Sequence, residues 1–285
     1  MPYGNTVYWQ LLSSIVKYVN RAGGIMETTA GSNSGTGTGE QPYSIELVRL
    51  SGVHKYYGGG LSGVHALHDI HLRVGSGEMV AICGPSGSGK TSLLNVVGML
   101  EPATEGAVVL DHLLVAKLSE QARAELRAEM IGFVFQSFSL IPVMSARDNV
   151  LLPLLLRNRL QRDELAAAGQ RADDLLAQVG LATQASHYPA RLDASQSQRV
   201  AIVRALITRP RLVIADEPAS RLDSGCVRMV MELFARQQRD HGTAFLISTR
   251  DQRQLSRATR TLQINEGRLL STSADAARRP LRVQL

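Results

Sequence analysis

From Ile45 onward the sequence predicts an α/β fold with a parallel sheet, and three observations carry that expectation. Met79–Cys83, Leu212–Ala215 and Ala244–Ser248 are continuous apolar runs of strand length, the pattern of strands buried on both faces. Helical patterns separate these runs, as parallel strands require of their connections. The first run also leads through a glycine-rich turn, Gly84 to Thr91, into a helix over Ser92–Leu100.

The other elements follow in chain order. Ile45–Leu50 alternates apolar and polar positions as a strand does, and so does Ala66–Val74, with Leu67, Ile70 and Leu72 on its apolar face. Gly75–Gly77 turns the chain into Met79–Cys83. Val108–Leu110 and Gly132–Phe135 read as further strands. Residues 145–180 read as largely helical, with Leu165, Ala168, Ala172, Leu175, Leu176 and Val179 at helical spacing. Residues 194–207 form another helix. Thr261–Leu270 reads as a hairpin turning at Asn265–Gly267. The helical stretch between Phe135 and Leu212 reads as an inserted subdomain. No internal repeat is visible.

Composition narrows the function classes. The 285 residues suffice to bury a real core, and no apolar run reaches the length that spans a bilayer. Leu151–Leu156 is the richest apolar stretch, and it is short and contains Pro153. A membrane role therefore goes through a partner. The net charge is +6, and only four of the 31 basic residues are lysine. Arginine-rich basicity fits nucleic acid, anionic lipid or a coding bias; the scatter of the arginines argues against a nucleic-acid surface. Cys83 and Cys226 are too few for a disulfide framework and lack metal-ligand spacing.

The flanks are read separately. Residues 1–44 form an extension: 7–19 have the pattern of a short amphipathic helix, and 31–39 that of a flexible linker. Met26 precedes the linker, so either translation starts there or the first residues anchor the chain at a membrane surface. Residues 272–285 read as a loose tail.

Two motifs carry chemistry. Gly84-Pro85-Ser86-Gly87-Ser88-Gly89-Lys90-Thr91, followed by Ser92, matches the phosphate-loop pattern G-x-x-x-x-G-K-[ST] in full. Its glycines let backbone N–H groups turn inward around phosphates, and the helix beginning after Gly89 directs its positive end at them. Lys90 would reach the outer phosphates, and the Thr91 hydroxyl would ligate Mg²⁺. The second motif, Leu212-Val213-Ile214-Ala215-Asp216-Glu217, delivers two carboxylates to the C-terminal end of a buried strand, where ligands of such sheets bind. Asp216 is expected to hold Mg²⁺ through water, and Glu217 to act as general base toward an attacking water.

With these motifs, the segments GEMVAICGPSGSGKTSLLNVVGMLEPATEG (77–106), IGFVFQSFSLIPVMSARDNV (131–150), QRVAIVRAL (198–206) and PRLVIADEPASRLDS (210–224) resemble the ATPases of ABC transporters. The resemblance covers about Ile45 to Leu270 and favours the branch serving lipoprotein-releasing, macrolide-exporter and cell-division complexes. It implies a P-loop NTPase core with a parallel sheet, an antiparallel β subdomain and an inserted helical subdomain at about 137–208, all within an ATP-binding domain spanning 45–271. It implies ATP and Mg²⁺ as ligands, an integral-membrane permease and a second ATP-binding subunit as partners, and a place at the cytoplasmic face of the inner membrane. By resemblance Tyr57 stacks on adenine, with Tyr56 as the other candidate. Gln136 touches Mg²⁺ and the water, or is a solvated loop residue. Asp223 crosses to the opposite subunit, caps the following helix, or does both. The segment 138–156 is either a permease-docking surface or buried helical core.

The sequence departs from the family pattern twice. Where the family signature reads LSGGQ, this chain has Leu192-Asp193-Ala194-Ser195-Gln196. In the family this loop closes on the partner subunit's ATP; here Asp193 sets an anion against an anion, and Ala194 and Ser195 add Cβ atoms. Asp193 and Gln196 retain the pattern of a helix cap. Where the family has a histidine against the terminal phosphate, this chain has Arg250. The expected function is an exporter motor that moves lipoprotein, lipid, peptide or drug cargo through its permease. The alternative is a subunit that binds ATP, hydrolyses it poorly, and regulates or completes a heterodimer. A soluble ABC protein of repair or translation fits less well, because neither a coiled-coil insertion nor a second nucleotide domain is present.

Overall fold

The computed structural model describes residues 46–58, 63–157, 162–250 and 258–270. The expectations for residues 1–44 and 272–285 lie outside the described residues. Two sheets organise the described residues. The first is antiparallel, in the order β2-β1-β4-β5: β1 is Glu46–Tyr57, β2 Val64–Gly75, β4 Glu105–Leu110 and β5 Leu113–Leu114. The second has six strands in the order β10-β9-β3-β8-β7-β6. Here β3 is Met79–Cys83, β6 Ile131–Val134, β7 Leu212–Asp216, β8 Ala244–Thr249, β9 Arg260–Asn265 and β10 Arg268–Leu270. From β9 through β6 every pairing is parallel, and β10 folds back antiparallel on β9.

Among the described residues six α-helices accompany the sheets: α1 Lys90–Val97, α2 Glu120–Met130, α3 Ala146–Leu156, α4 Arg162–Gln178, α5 Ala194–Leu206 and α6 Ser224–His241. Among the described residues no helix is long and apolar enough to cross a membrane. Strand alternation builds the core on both sides of the parallel sheet. Val80 and Ile82 of β3, with Leu212, Ile214 and Leu246, face α1 and the antiparallel sheet. Met79 and Ala81, with Val213, Ala215, Phe245 and Ile247, face the other way and pack with α3, α4, α5 and α6. Parallel register pairs Met79 with Phe245 and Val80 with Leu246, so like faces align across strands. The inserted helices therefore share one core with the sheet.

The differences from expectation are local. The first strand runs to Tyr57 rather than Leu50, through register shifts after Leu50 and Val53. Helix α1 starts at Lys90 and ends at Val97, because Gly98 caps it and Met99 takes a left-handed φ of 56°. Residues 145–180 contain two helices, α3 and α4. Helix α2 was not anticipated. The expected hairpin turns at Glu266 (φ 45°) and Gly267 (φ 73°), the two left-handed residues of a type I′ turn. Gly132 lets β6 lie against α5: a Cβ there would stand 2.1 Å from the carbonyl oxygen of Ala205.

Candidate functional site

The phosphate loop leaves the C-terminal end of β3 and enters α1 at Gly89, whose φ of 102° suits glycine alone. Close packing fixes the loop. A Cβ on Gly84 would meet the Ile264 carbonyl oxygen at 2.3 Å, and one on Gly89 the Ala66 oxygen at 2.6 Å. Pro85, Ser86 and Gly87 are exposed, whereas Ser88 is buried and its hydroxyl finds no hydrogen-bond partner among the described residues. Lys90 is 6% exposed, and its ammonium donates to the carbonyls of Gly84 (2.9 Å) and Pro85 (2.7 Å). Burial holds it below the usual lysine range; Glu217 and Asp216 counter that, and Arg250 adds to it.

Both carboxylates come from the end of β7, which is separated from β3 by β8 in the parallel sheet. Thr91 Oγ1 donates to Asp216 Oδ2 at 2.8 Å, joining α1 to β7. Ser248, fully buried at the end of β8, donates to Asp216 Oδ1 and accepts from the Glu217 N–H at 3.0 Å. Glu217 N–H also meets the Ser248 carbonyl at 3.2 Å, and Glu217 sits at a left-handed φ of 48°. A non-glycine residue there is held by its surroundings. Gln136, just past β6, donates to Glu217 Oε2 at 3.4 Å, and Arg250 Nε stands 2.6 Å from Glu217 Oε1.

One cavity of about 460 Å³ is lined by Tyr57, Ser86, Gly87, Gly89, Lys90, Thr91, Ser92, Gln136, Glu217 and Arg250, among others, with Asp216 just outside its lining. Tyr57 donates to Ser92 Oγ at 3.3 Å, and the Lys55 ammonium lies 4.9 Å from its ring centre. Burial pushes the Tyr57 phenol above its ordinary value. Tyr56 instead stacks on His65, with ring centres 4.0 Å apart, and does not line the cavity.

Two expected regions stand apart from the cavity. Asp193, Ala194, Ser195 and Gln196 open α5, where Asp193 Oδ1 accepts from Gln196 N–H at 2.7 Å and Gln196 Oε1 accepts from Asp193 N–H at 3.0 Å. This is the anticipated capping box. Asp223 caps α6 by accepting from the N–H groups of Gly225 (2.8 Å) and Cys226 (2.9 Å), bonds that hold its carboxyl below the usual range. Ser195 Oγ lies 3.9 Å from Cys226 Sγ, so the two exposed helix starts touch.

Sequence reasoning missed three residues that shape the site. Ser248 was legible only as the polar end of an apolar strand. Arg204, on the last turn of α5, donates to the carbonyls of Phe138 (2.8 Å) and Ser139 (2.7 Å), just beyond Gln136. Asn149, fully buried in α3, accepts from Ile141 N–H at 2.7 Å and donates to the Met144 and Ser145 carbonyls. Nothing local in the sequence marks Arg204 or Asn149.

Known proteins share much of this sequence and fold. Residues 67–220 match the model of the ABC transporter family. The chain is 43% identical over 223 residues to the lipoprotein-releasing system ATP-binding protein LolD of Bordetella avium, covering 78% of this chain and 95% of that protein. It is 44% identical over 215 residues to LolD of Bordetella pertussis, covering 75% and 91%. Among solved structures it resembles the dimeric ATP-binding cassette MJ0796 in a post-hydrolysis state bound to ADP and Pi. That match has TM-score 0.73 and 35% identity, over 78% of this chain and 96% of the other. CbiO1 of Clostridium perfringens, part of the transporter complex cbiONQ, matches with TM-score 0.69 and 26% identity over 80% and 88%. By motif, fold and relatives together, the chain belongs to the ABC transporter family, as one of its ATP-binding subunits.

Proposed function

We propose that the chain hydrolyses ATP and thereby drives a membrane permease that releases lipoproteins; its LolD relatives are named as ATP-binding proteins of a lipoprotein-releasing system. The observation that carries this is the convergence of Lys90, Thr91, Gln136, Glu217 and Arg250 on one cavity. The loop amides and Lys90 bind and charge-compensate the phosphates. Thr91 and Asp216, with Gln136, offer hydroxyl, carboxylate and amide oxygens, a donor set suited to Mg²⁺, which would neutralise phosphate charge when bound. Ser248 keeps Asp216 aimed at that point. Glu217 orients a water and takes its proton as the water oxygen bonds to the terminal phosphorus and the bond to the ADP oxygen breaks. Tyr57, which lines the same cavity, would stack on the base.

The exposed starts of α5 and α6, carrying Asp193–Gln196 and Asp223, are surfaces for a second subunit. The segment 137–208 acts as a subdomain that leads from Gln136 to the permease; Ile141 and Val143, exposed by 38% and 73%, sit on its outer side. The pair then works at the cytoplasmic face of the inner membrane, held there by the permease. Neither the geometry nor the comparisons favour the alternative of a subunit that binds ATP without useful turnover.

Steady-state hydrolysis by the purified chain tests the reading. Turnover of about 1–10² s⁻¹, the range of phosphoryl-transfer enzymes such as kinases, is expected, with loss of binding in Lys90→Ala. Variants Arg250→His and Ser-Gly-Gly at positions 193–195 run beside it. ATP binding with turnover only in those repaired variants would refute the motor.

A further inference from the structure

We propose that Arg250 is a positioning residue with two exclusive partners: it latches Glu217 until the terminal phosphate of a nucleoside triphosphate takes the guanidinium away. The inference rests on the ATPase reading above, and it concerns how the triphosphate is told from the diphosphate.

The geometry assigns the fixed and the moving partner. The Glu217 backbone is pinned twice to Ser248 and its side chain is 11% exposed, while Arg250 is 57% exposed. Each oxygen of the carboxylate has a donor: Oε1 faces Arg250 Nε at 2.6 Å, and Oε2 faces Gln136 Nε2 at 3.4 Å. A guanidinium keeps its charge at any working pH, so loss of a proton cannot dissolve the pair. A competing anion can. Arg250 and Lys90 line the same cavity, and a terminal phosphate offers more charge than one carboxylate, with the planar oxygen pairs that guanidinium binds in fork geometry. The exchange would free Glu217 Oε1 for the water as the phosphate arrives. A diphosphate, one phosphate shorter, competes less well for the same group.

A double-mutant cycle on nucleotide affinity tests the latch in the full-length chain. The four proteins are the native chain, Glu217→Gln, Arg250→Ala and the double variant, titrated with ATP and with ADP. Thermal unfolding establishes that each is folded; Arg250→Lys, which retains the charge but loses the fork, is a second probe. Glu217→Gln releases Arg250, so it should tighten ATP several-fold and ADP distinctly less. That gain should shrink to little or nothing when Arg250 is alanine, and Arg250→Lys should give an intermediate result. An equal gain with and without Arg250, or an equal gain for ATP and ADP, would overturn the latch. If the native chain binds no ATP, or Lys90→Ala binds it equally well, the functional reading itself fails; bound ATP with an additive cycle sinks the latch alone.

Discussion

At Asp193 a single carboxylate meets two demands of opposite sign. As the cap of α5 it receives the Gln196 N–H at 2.7 Å and is matched by the return bond from Gln196. Such a cap is worth about 1 kcal/mol, and serine caps as well as aspartate. In the pair proposed above, where this loop faces a second subunit's phosphates, its charge opposes closure. Asp193→Ser should therefore leave stability within about 0.5 kcal/mol, since it keeps the capping acceptor, and strengthen ATP-induced dimerisation in sedimentation or light scattering. Asp193→Ala should lower unfolding stability in urea by about 1 kcal/mol; unchanged stability would show that the cap contributes nothing. His65 gives a second residue-scale prediction. It stacks on Tyr56, lies with its ring centre 3.4 Å from that of His68, and has Nε2 3.1 Å from His54 Nδ1. Desolvation, then the charges of His68, His54 and Arg268, hold its imidazole below the ordinary value of 6.5, while a bond to the Leu67 backbone opposes them. Below pH 6.5 the unfolded chain then binds more protons at this residue than the folded one. The stability contribution is complete above pH 6.5 and is lost as pH falls toward the lower folded value. The melting temperature of the native chain relative to His65→Gln should fall between pH 7.5 and 5; a constant difference would contradict the depressed value.

At the scale of elements, the loop that follows Gln136 is held by side chains from two helices rather than by its own structure. Asn149, fully buried, satisfies Ile141 N–H and the carbonyls of Ile141, Met144 and Ser145. Arg204 fastens Phe138 and Ser139 to the end of α5, and Ser139 sits at a left-handed φ of 48°. Asn149→Ala would strand several buried polar groups at about 1–3 kcal/mol each, and should reduce turnover more than ATP affinity, because it loosens Gln136 and leaves the phosphate loop alone. Such elements mark the boundary of what the sequence discloses. The phosphate loop, β3, β7 and the caps at Asp193 and Asp223 were legible because each depends on a few adjacent residues. Strand β1 was legible only to Leu50, since the register shifts that follow, at Gly52 with φ 57°, break the alternation that betrays a strand. Helix α2 left no apolar stripe, as only Met130 is buried, so its Ser119 cap and helix-forming composition were its only signals. Arg204, Asn149 and Ser248 act on chain segments distant in sequence, and no local pattern announces that.

For the molecule as a whole, the open question is how two sheets with separate cores become one structure. Alternation along β3 sends Val80 and Ile82 to one core and Met79 and Ala81 to the other, so the parallel sheet is the shared wall. Where that wall meets the antiparallel sheet, a buried ion pair fastens the corner. Arg260 of β9 and Glu78 lie 3.0 Å apart, with both side chains 9% exposed. Glu78 also accepts from Gly75 N–H at 2.9 Å at the end of β2, and Arg260 donates to the Arg73 carbonyl. The pair need not stabilise the fold relative to apolar residues, because desolvating both charges offsets their attraction. Breaking it is different: Arg260→Met would take away the cation 3.0 Å from the buried Glu78 carboxylate, at about 3–5 kcal/mol. Adding Glu78→Gln removes the carboxylate charge yet keeps an oxygen for the Gly75 N–H. The double variant should recover most of the loss in urea unfolding, and ATP binding should return with it, because the phosphate loop leaves β3 five residues beyond this corner. If the double variant is as unstable as Arg260→Met alone, the corner depends on the bonds Arg260 makes to backbone, and charge pairing is not what holds the two sheets together.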